Sequence, residues 1–102
     1  MVGYEWVIEA VDEYGDIQSI THADILSKAF EYKDFFHTEG WERVEIGLVR
    51  DVGDDIDGLQ NRQWAYLEDD KLPATFDGGA KIPKRFLEEV SKKCGDSREV
   101  AR

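Results

Sequence analysis

The sequence predicts an α+β fold: a two-layer sandwich in which two helices cover one face of a four-stranded, mainly antiparallel sheet, in the order β-β-α-β-β-α. Two patterns lead to this class. Four short stretches alternate apolar and polar residues, as half-buried strands do, and two others repeat apolar residues at helical spacing. The 102 residues suit one domain with one core. We expect that domain to span residues 1–95, with residues 96–102 as a frayed polar tail.

The first half of the chain predicts a hairpin followed by a helix. Residues 3–11, GYEWVIEAV, alternate strictly, and the turn in DEYGDI leads to a second short strand, DIQSITH. Thr21 and Asp24 have the spacing of a capping box, so we expect a helix over about residues 22–38. Gly40 stands where a helix commonly ends in a left-handed residue.

The second half predicts the same order of elements. Residues 42–50 and 62–68 alternate and form a second hairpin, with Trp64 expected to point into the core as Trp6 does. After a loop rich in proline and glycine, Pro83 opens a last amphipathic helix, which Gly95 is expected to close. The order of the strands in the sheet stays open.

Charge is the most unusual property of the sequence. The net charge is −10, and residues 1–60 carry 15 acidic and 4 basic side chains, a net charge of −11. Such a surface repels phosphate backbones and anionic lipids, so neither direct nucleic-acid binding nor membrane association is expected. It suits a basic protein partner, or simply high solubility.

The stretch DVGDDIDGL, residues 51–59, is the first candidate site because it holds four aspartates, Asp51, Asp54, Asp55 and Asp57. An EF-hand is excluded, since with Gly58 at the sixth loop position Gly53 and Trp64 stand where the first and last ligands belong. A looser divalent-cation site stays an alternative. We predict a hairpin loop of about eleven residues, longer than usual, that contacts a partner.

Trp41 is the second candidate, because it follows the end of the first helix and is flanked by Gly40 and Glu42. An exposed tryptophan beside carboxylates is typical of protein-binding surfaces. Folding back over the helix end is the alternative, and the sequence does not decide between the two.

The remaining reactive side chains predict no chemistry. His22 and His37 are expected near opposite ends of the first helix, too far apart to share a metal, and Cys94 is expected to be a buried structural thiol. The basic residues of KIPKRFLEEVSKK are interrupted by Glu88 and Glu89, which favours a solvated helix face with i,i+4 ion pairs over a nucleic-acid contact.

Motifs of catalysis and targeting are missing from the sequence. It holds no phosphate-binding glycine loop, nucleophile elbow or cluster of histidines and carboxylates, so we predict no catalytic residue, no metal site and no cofactor. It also holds no signal peptide and no apolar run long enough to cross a bilayer. We therefore expect a cytoplasmic protein of bacterial or phage type.

The sequence thus favours a small acidic, non-catalytic binding protein that engages a basic protein surface. The most specific version of this hypothesis is a protein that imitates the charge of nucleic acid and inhibits a nucleic-acid-binding protein, as phage-encoded inhibitors can. The alternatives are a divalent-cation-binding domain that uses residues 51–57, and a small enzyme or ligand-binding domain without a recognisable motif. The oligomeric state is open.

Overall fold

The computed structural model describes residues 3–54 and 60–100, with side chains at 3–53 and 62–94. It contains four strands and two helices: β1 (Gly3–Val11), β2 (Ile17–Ala23), α1 (Leu26–Thr38), β3 (Arg43–Asp54), β4 (Gln60–Tyr66) and α2 (Lys84–Val100). The predicted α+β class, with a four-stranded antiparallel sheet and two helices, is confirmed.

The strand order in the sheet is β2-β1-β3-β4, with every neighbouring pair antiparallel. Each hairpin therefore contributes one inner and one outer strand, and β1 meets β3 in the middle. In this central pair Trp6 lies opposite Leu48, and Ile8 lies opposite Ile46. These four side chains share one face of the sheet, because neighbouring strands keep the same alternation across a ladder.

The main core lies on this face. It combines buried side chains from all four strands, both helices and the segment between β4 and α2: Trp6, Ile8, Ala10, Ala23, Leu26, Ala29, Phe36, Ile46, Leu48, Ala65, Phe76, Ile82, Phe86 and Val90. Trp6 and Phe86 meet edge to face, with ring centroids 6.0 Å apart. Burying a large side chain of this kind stabilises the fold by about 1.5–3 kcal/mol, so this cluster is the main source of stability.

The start of α1 differs from the prediction. Thr21 and His22 belong to β2, and the helix begins at Leu26 after Ile25, which makes no side-chain capping bond. Pairing with β1 takes up the backbone of residues 21–23, so the local capping box does not form. The cap comes from α2 instead, because Oε2 of Glu89 accepts a 2.7 Å hydrogen bond from the N–H of Leu26.

The end of α1 is as predicted. Gly40 has φ of 105°, the left-handed conformation that favours glycine. The N–H of Gly40 donates to the carbonyl of His37, and the N–H of Trp41 donates to the carbonyl of Phe36. These two bonds form a Schellman motif, which turns the chain sharply into β3.

The end of α2 was predicted wrongly. The helix continues to Val100 instead of closing at Gly95. A glycine inside a helix costs only about 1 kcal/mol relative to alanine, so the rest of the helix can carry it.

Trp64 was also assigned to the wrong face. Ala65 lies opposite Leu48 and joins the main core, whereas Trp64 lies opposite Val49 on the other side of the sheet. Apolar residues occupy both faces of β4, so alternation alone did not fix its orientation. The register of the β3–β4 pair decides it, since a shift of one residue exchanges the two faces.

This second face of the sheet is closed by side chains of the sheet itself. The rings of Trp64 and Tyr66 stack 5.7 Å apart at 14°. They lie over Gly47, where an added Cβ would be 3.2 Å from Cδ1 of Tyr66. Beneath them Val7 and Val49 have no exposed surface, so the two central strands are buried on both faces.

A buried carboxylate lies beside these rings and pairs with one of them. The hydroxyl of Tyr66 donates a 3.0 Å hydrogen bond to Oε1 of Glu9, a residue that is only 2% exposed. Burial raises the pKa of Glu9, and the nearby Glu45 carboxylate adds to this, while the bond from Tyr66 opposes it. Burial, followed by the charge of Glu9, raises the pKa of Tyr66 to about 12, so the phenol remains a donor.

Candidate functional site

The acidic stretch 51–57 is partly built into the sheet. Asp51 and Asp54 belong to β3, opposite Arg62 and Gln60 of β4, with an irregular register between them. The predicted loop of about eleven residues is therefore wrong, because the hairpin ladder extends further than the apolar alternation does. Asp55 and Asp57 lie outside the described residues, and a contact or a cation there stays a prediction.

Asp51 has partners within the hairpin. Its Oδ1 accepts a 2.9 Å hydrogen bond from the N–H of Gly53, and its Oδ2 lies 3.5 Å from Nε of Arg62. Gly53 has φ of 91°, as the bulge in β3 requires. Asp51 thus holds this bulge and pairs across the hairpin.

Trp41 lies at the opposite end of β3. Between Arg43 and Asp51 the strand rises by about 26 Å at 3.3 Å per residue. The structure therefore does not bring Trp41 together with the acidic stretch 51–57. Trp41 packs partly buried against the core at the end of α1, and its carbonyl lies 2.7 Å from Nδ1 of His37.

Trp41 does have acidic neighbours, but they come from the β1–β2 turn. A cleft of about 370 Å³ is lined by Val11, Asp12, Glu13, Tyr14, Trp41, Glu42 and Arg43. We call it the acidic–aromatic cleft. It forms because β1 ends beside the start of β3, which places the turn that follows β1 next to the segment that precedes β3.

Asp12 fixes the shape of one wall of this cleft. Its Oδ1 accepts hydrogen bonds of 2.9 Å from the backbone N–H groups of Tyr14 and Asp16, and its Oδ2 accepts one of 2.7 Å from the side chain of Gln18. The bond from Asp16, with help from Gln18 and Tyr14, lowers the pKa of Asp12. The carboxylate therefore stays ionised while it orders the turn.

The other side chains leave the cleft acidic and aromatic. Tyr14 is 81% exposed, and Glu13 and Glu42 are also exposed. Arg43 is the cationic lining residue, and its guanidinium bonds to Glu45 at 3.0 Å. Glu13 and Glu42 are thus available at the rim, next to a half-buried indole and an exposed phenol.

Sequence reasoning found Trp41 but missed the turn residues Asp12, Glu13 and Tyr14. The turn DEYGD was interpreted only as a connection. An exposed aromatic between acidic residues at a hairpin turn is the signal that could have identified it, once β1 was known to pair with β3.

The charged residues in the basic stretch of α2 make different kinds of contact. The guanidinium of Arg85 lies over the ring of Phe86 at 4.6 Å, and Lys84 lies 3.9 Å from Glu88. Glu89 was expected on a solvated face but is half-buried, where Oε1 accepts from Nε1 of Trp6 at 3.2 Å and Oε2 accepts from Leu26. This carboxylate therefore joins α2 to both α1 and β1.

The remaining candidate residues, His22 and Cys94, make contacts that support the fold. His22 was expected on the first helix but lies on β2, where Nδ1 is 3.1 Å from the Glu5 carboxylate. Cys94 is half-buried and packs against the main core. Among residues 3–54 and 60–100, no three His, Cys, Asp or Glu side chains come together as metal ligands would.

Neither of the two helices is long and apolar enough to cross a membrane, as far as the described residues go. Comparison with protein-family models, with curated proteins and with solved structures found no match for the chain.

Proposed function

We propose that this chain is a small, non-catalytic binding protein whose acidic–aromatic cleft receives a lysine or arginine side chain from the surface of a basic protein. The observation that carries the proposal is the approach of Trp41 to the turn 12–14. Carboxylates supply the opposite charge, and the faces of Trp41 and Tyr14 can hold the cation by cation–π attraction.

The charge of the whole chain supports the same kind of partner. A net charge of −10 raises the rate at which a basic protein meets this surface and makes the encounter sensitive to salt. Imitation of nucleic-acid charge, and hence inhibition of a nucleic-acid-binding protein, is the most pointed form of this proposal.

The two-layer arrangement with both helices on one face is part of the proposal. Leu26 of α1 and Phe86 of α2 share the buried cluster with Trp6, which supports this arrangement. The end of the sheet near Val11 and Arg43 then remains open to a partner.

The test is affinity capture of basic proteins from a cell extract at low salt, followed by elution with rising salt. We compare the wild-type protein with the triple variant Glu13→Gln, Glu42→Gln, Trp41→Ala. Asp12 is left unchanged because it orders the turn. We expect the wild type to retain a small set of basic proteins and the triple variant to release them at much lower salt.

A charge-matched control separates the cleft from general acidity. The exposed carboxylates of Glu68 and Glu88 lie outside the cleft, so the variant Glu68→Gln, Glu88→Gln removes as many charges. It should elute like the wild type. Equal loss in both variants, or no basic protein retained by the wild type, would contradict the proposal.

A further inference from the structure

The two outer strands of the sheet present different edges. At the edge of β4, the N–H of Asp77 donates to the carbonyl of Trp64 at 3.0 Å, and the N–H of Trp64 donates to Oδ1 of Asp77 at 3.1 Å. At the other edge, β2 pairs only with β1 among the described strands. Half of its backbone groups therefore face away from the sheet.

The free edge of β2 lacks the charged residues and proline that usually protect an edge strand against pairing. Residues Ile17–Ala23 include no Asp, Glu, Lys or Arg, although 35% of the chain is charged. Ile17 is 53% exposed and Ile20 is 50% exposed. A register shift interrupts the strand near Gln18, but residues 19–23 pair regularly with β1. Exposed edge strands normally carry charges or proline, so this edge is suited to receive a strand.

A groove runs beside this edge. It has a volume of about 560 Å³ and is lined by His22, Ala23, Asp24, Ile25, Lys28 and Tyr32, so it lies between the end of β2 and α1. Ile25 is 55% exposed and gives the groove an apolar wall. Lys28 pairs with Glu31 at 3.6 Å. An added strand could therefore place one side chain in the groove and the next one across Ile20.

Charge argues against a second copy of this chain as the occupant. Antiparallel pairing of two β2 strands about Ile20, the midpoint of the strand, would place Asp16 of each copy opposite Asp24 of the other. Two like-charged pairs would then flank the interface between chains of −10 each. The same carboxylates at both ends of a neutral strand attract a segment with cationic ends.

We propose that an extended segment of the basic partner, apolar in the middle and bearing Lys or Arg at both ends, adds to the free edge of β2 as a fifth strand. This inference rests on the proposed function and names the second contact of the same partner. Backbone pairing with β2 supplies affinity, and Asp16 and Asp24 select the cationic ends.

The test uses a nine-residue probe peptide, Lys-Thr-Val-Thr-Ile-Thr-Val-Thr-Lys, which matches the span from Asp16 to Asp24. Two control peptides carry N-methyl groups on alternate residues, one on the odd-numbered and one on the even-numbered positions. Each control keeps the charge of the probe and loses the backbone donors on one side of the strand. Amide shifts of the protein are followed by NMR at low salt. The unmodified peptide should shift the amides of Ile17–Ala23, and one methylated peptide should bind about tenfold more weakly or worse.

Variants of the protein test the role of the flanking charges. Asp16→Asn with Asp24→Asn should weaken the unmodified peptide several-fold, whereas Glu68→Gln with Glu88→Gln should leave its affinity unchanged. Equal binding of all three peptides, or no binding at low salt, would overturn strand addition. A concentration-dependent dimer that shifts the same β2 amides without peptide would assign the edge to a second copy and also overturn it.

The two proposals fail in distinguishable ways. Peptide shifts confined to the turn 12–14 and residues 41–43 would overturn strand addition and leave the acidic–aromatic cleft as the contact. The opposite outcome is loss of protein capture in the variant Asp16→Asn, Asp24→Asn but not in the triple variant of the cleft. It would overturn the cleft as the contact and leave strand addition.

Discussion

The two faces of the sheet are closed by different means. The face that carries Trp6 and Leu48 buries a cluster to which both helices contribute. On the opposite face, the rings of Trp64 and Tyr66 of the edge strand β4 stack on each other and lie over Gly47. Leu48 and Val49 are neighbours in β3 and both have no exposed surface, yet they point to opposite faces.

This difference teaches how a small domain buries both sides of its central strands. A cover of side chains encloses less apolar volume than a layer of helices, but it needs no further elements of the chain. This face also combines polar and apolar residues, because Glu9 is buried between Val7 and Val11 of the same strand. We expect the face that carries the main core to dominate stability and the face that carries Trp64 and Tyr66 to adapt more easily.

Truncation of the two neighbouring residues tests this expectation and should give the largest effect. Leu48→Ala should reduce the free energy of unfolding by about 3 kcal/mol, since a cavity between strands and helices cannot collapse fully. Val49→Ala should cost only about 1.5 kcal/mol, the transfer energy of the lost carbons, because the rings of Trp64 and Tyr66 can move into the space that is left. Urea unfolding measures both, and a cost for Val49→Ala equal to that for Leu48→Ala would remove the distinction.

Gly47→Ala tests how closely the cover lies on the sheet. The new Cβ would lie 3.2 Å from Cδ1 of Tyr66, so this ring must move by a few tenths of an ångström, and it would touch Cε3 of the stacked Trp64 ring at 3.4 Å. We expect a loss of about 1–2 kcal/mol and a shift in tryptophan fluorescence. Gly3→Ala is the matched control on β1, because its nearest heavy atom would be 4.0 Å away. If both variants unfold like the wild type, the rings do not rest on Gly47.

Substitution of Glu9 should give a smaller effect that depends on pH. Its raised pKa means that the folded protein binds this proton more tightly than the unfolded chain, whose value is near 4.5. The contribution of Glu9 is full below that value and is lost as pH rises through the raised pKa. The stability of Glu9→Gln relative to the wild type should therefore increase with pH in this window, as measured by urea unfolding at several pH values.

Asp12 provides the control of opposite sign. Its pKa is lowered from 3.8, chiefly by the backbone N–H of Asp16, so its contribution is present above that value and is lost as pH falls. Asp12→Asn should therefore be less stable than the wild type at neutral pH and approach it in acid. Parallel pH profiles for Glu9→Gln and Asp12→Asn would show that burial does not set the Glu9 proton affinity.

Local patterns predicted the elements of this fold well, and pairing between distant segments decided what they missed. The alternation in β1 and the glycine at position 40 each determine a structure within a few residues. The start of α1 and the orientation of Trp64 depend on partners far along the chain. Glu89 is 63 residues from Leu26, and a capping motif at Thr21 loses to strand pairing with β1.

The candidate site was harder to predict for the same reason. Trp41 was identified from its immediate neighbours, but its acidic partners come from the turn 12–14, which only the β1–β3 pairing brings close. Asp51 attracted attention through local density of charge, and its partner Arg62 became evident only with the hairpin register. Composition indicated an acidic surface without indicating where it gathers.

The carboxylate of Glu89 has a consequence for the order in which the chain folds. During synthesis α1 emerges long before Glu89, so the first N–H of this helix and the indole N–H of Trp6 lack their acceptor until α2 has docked. A helix of 13 residues is marginal by itself in water. We therefore expect the first hairpin and α1 to be loosely ordered when they emerge from the ribosome. They become native in one cooperative step once α2 has been synthesised and docks.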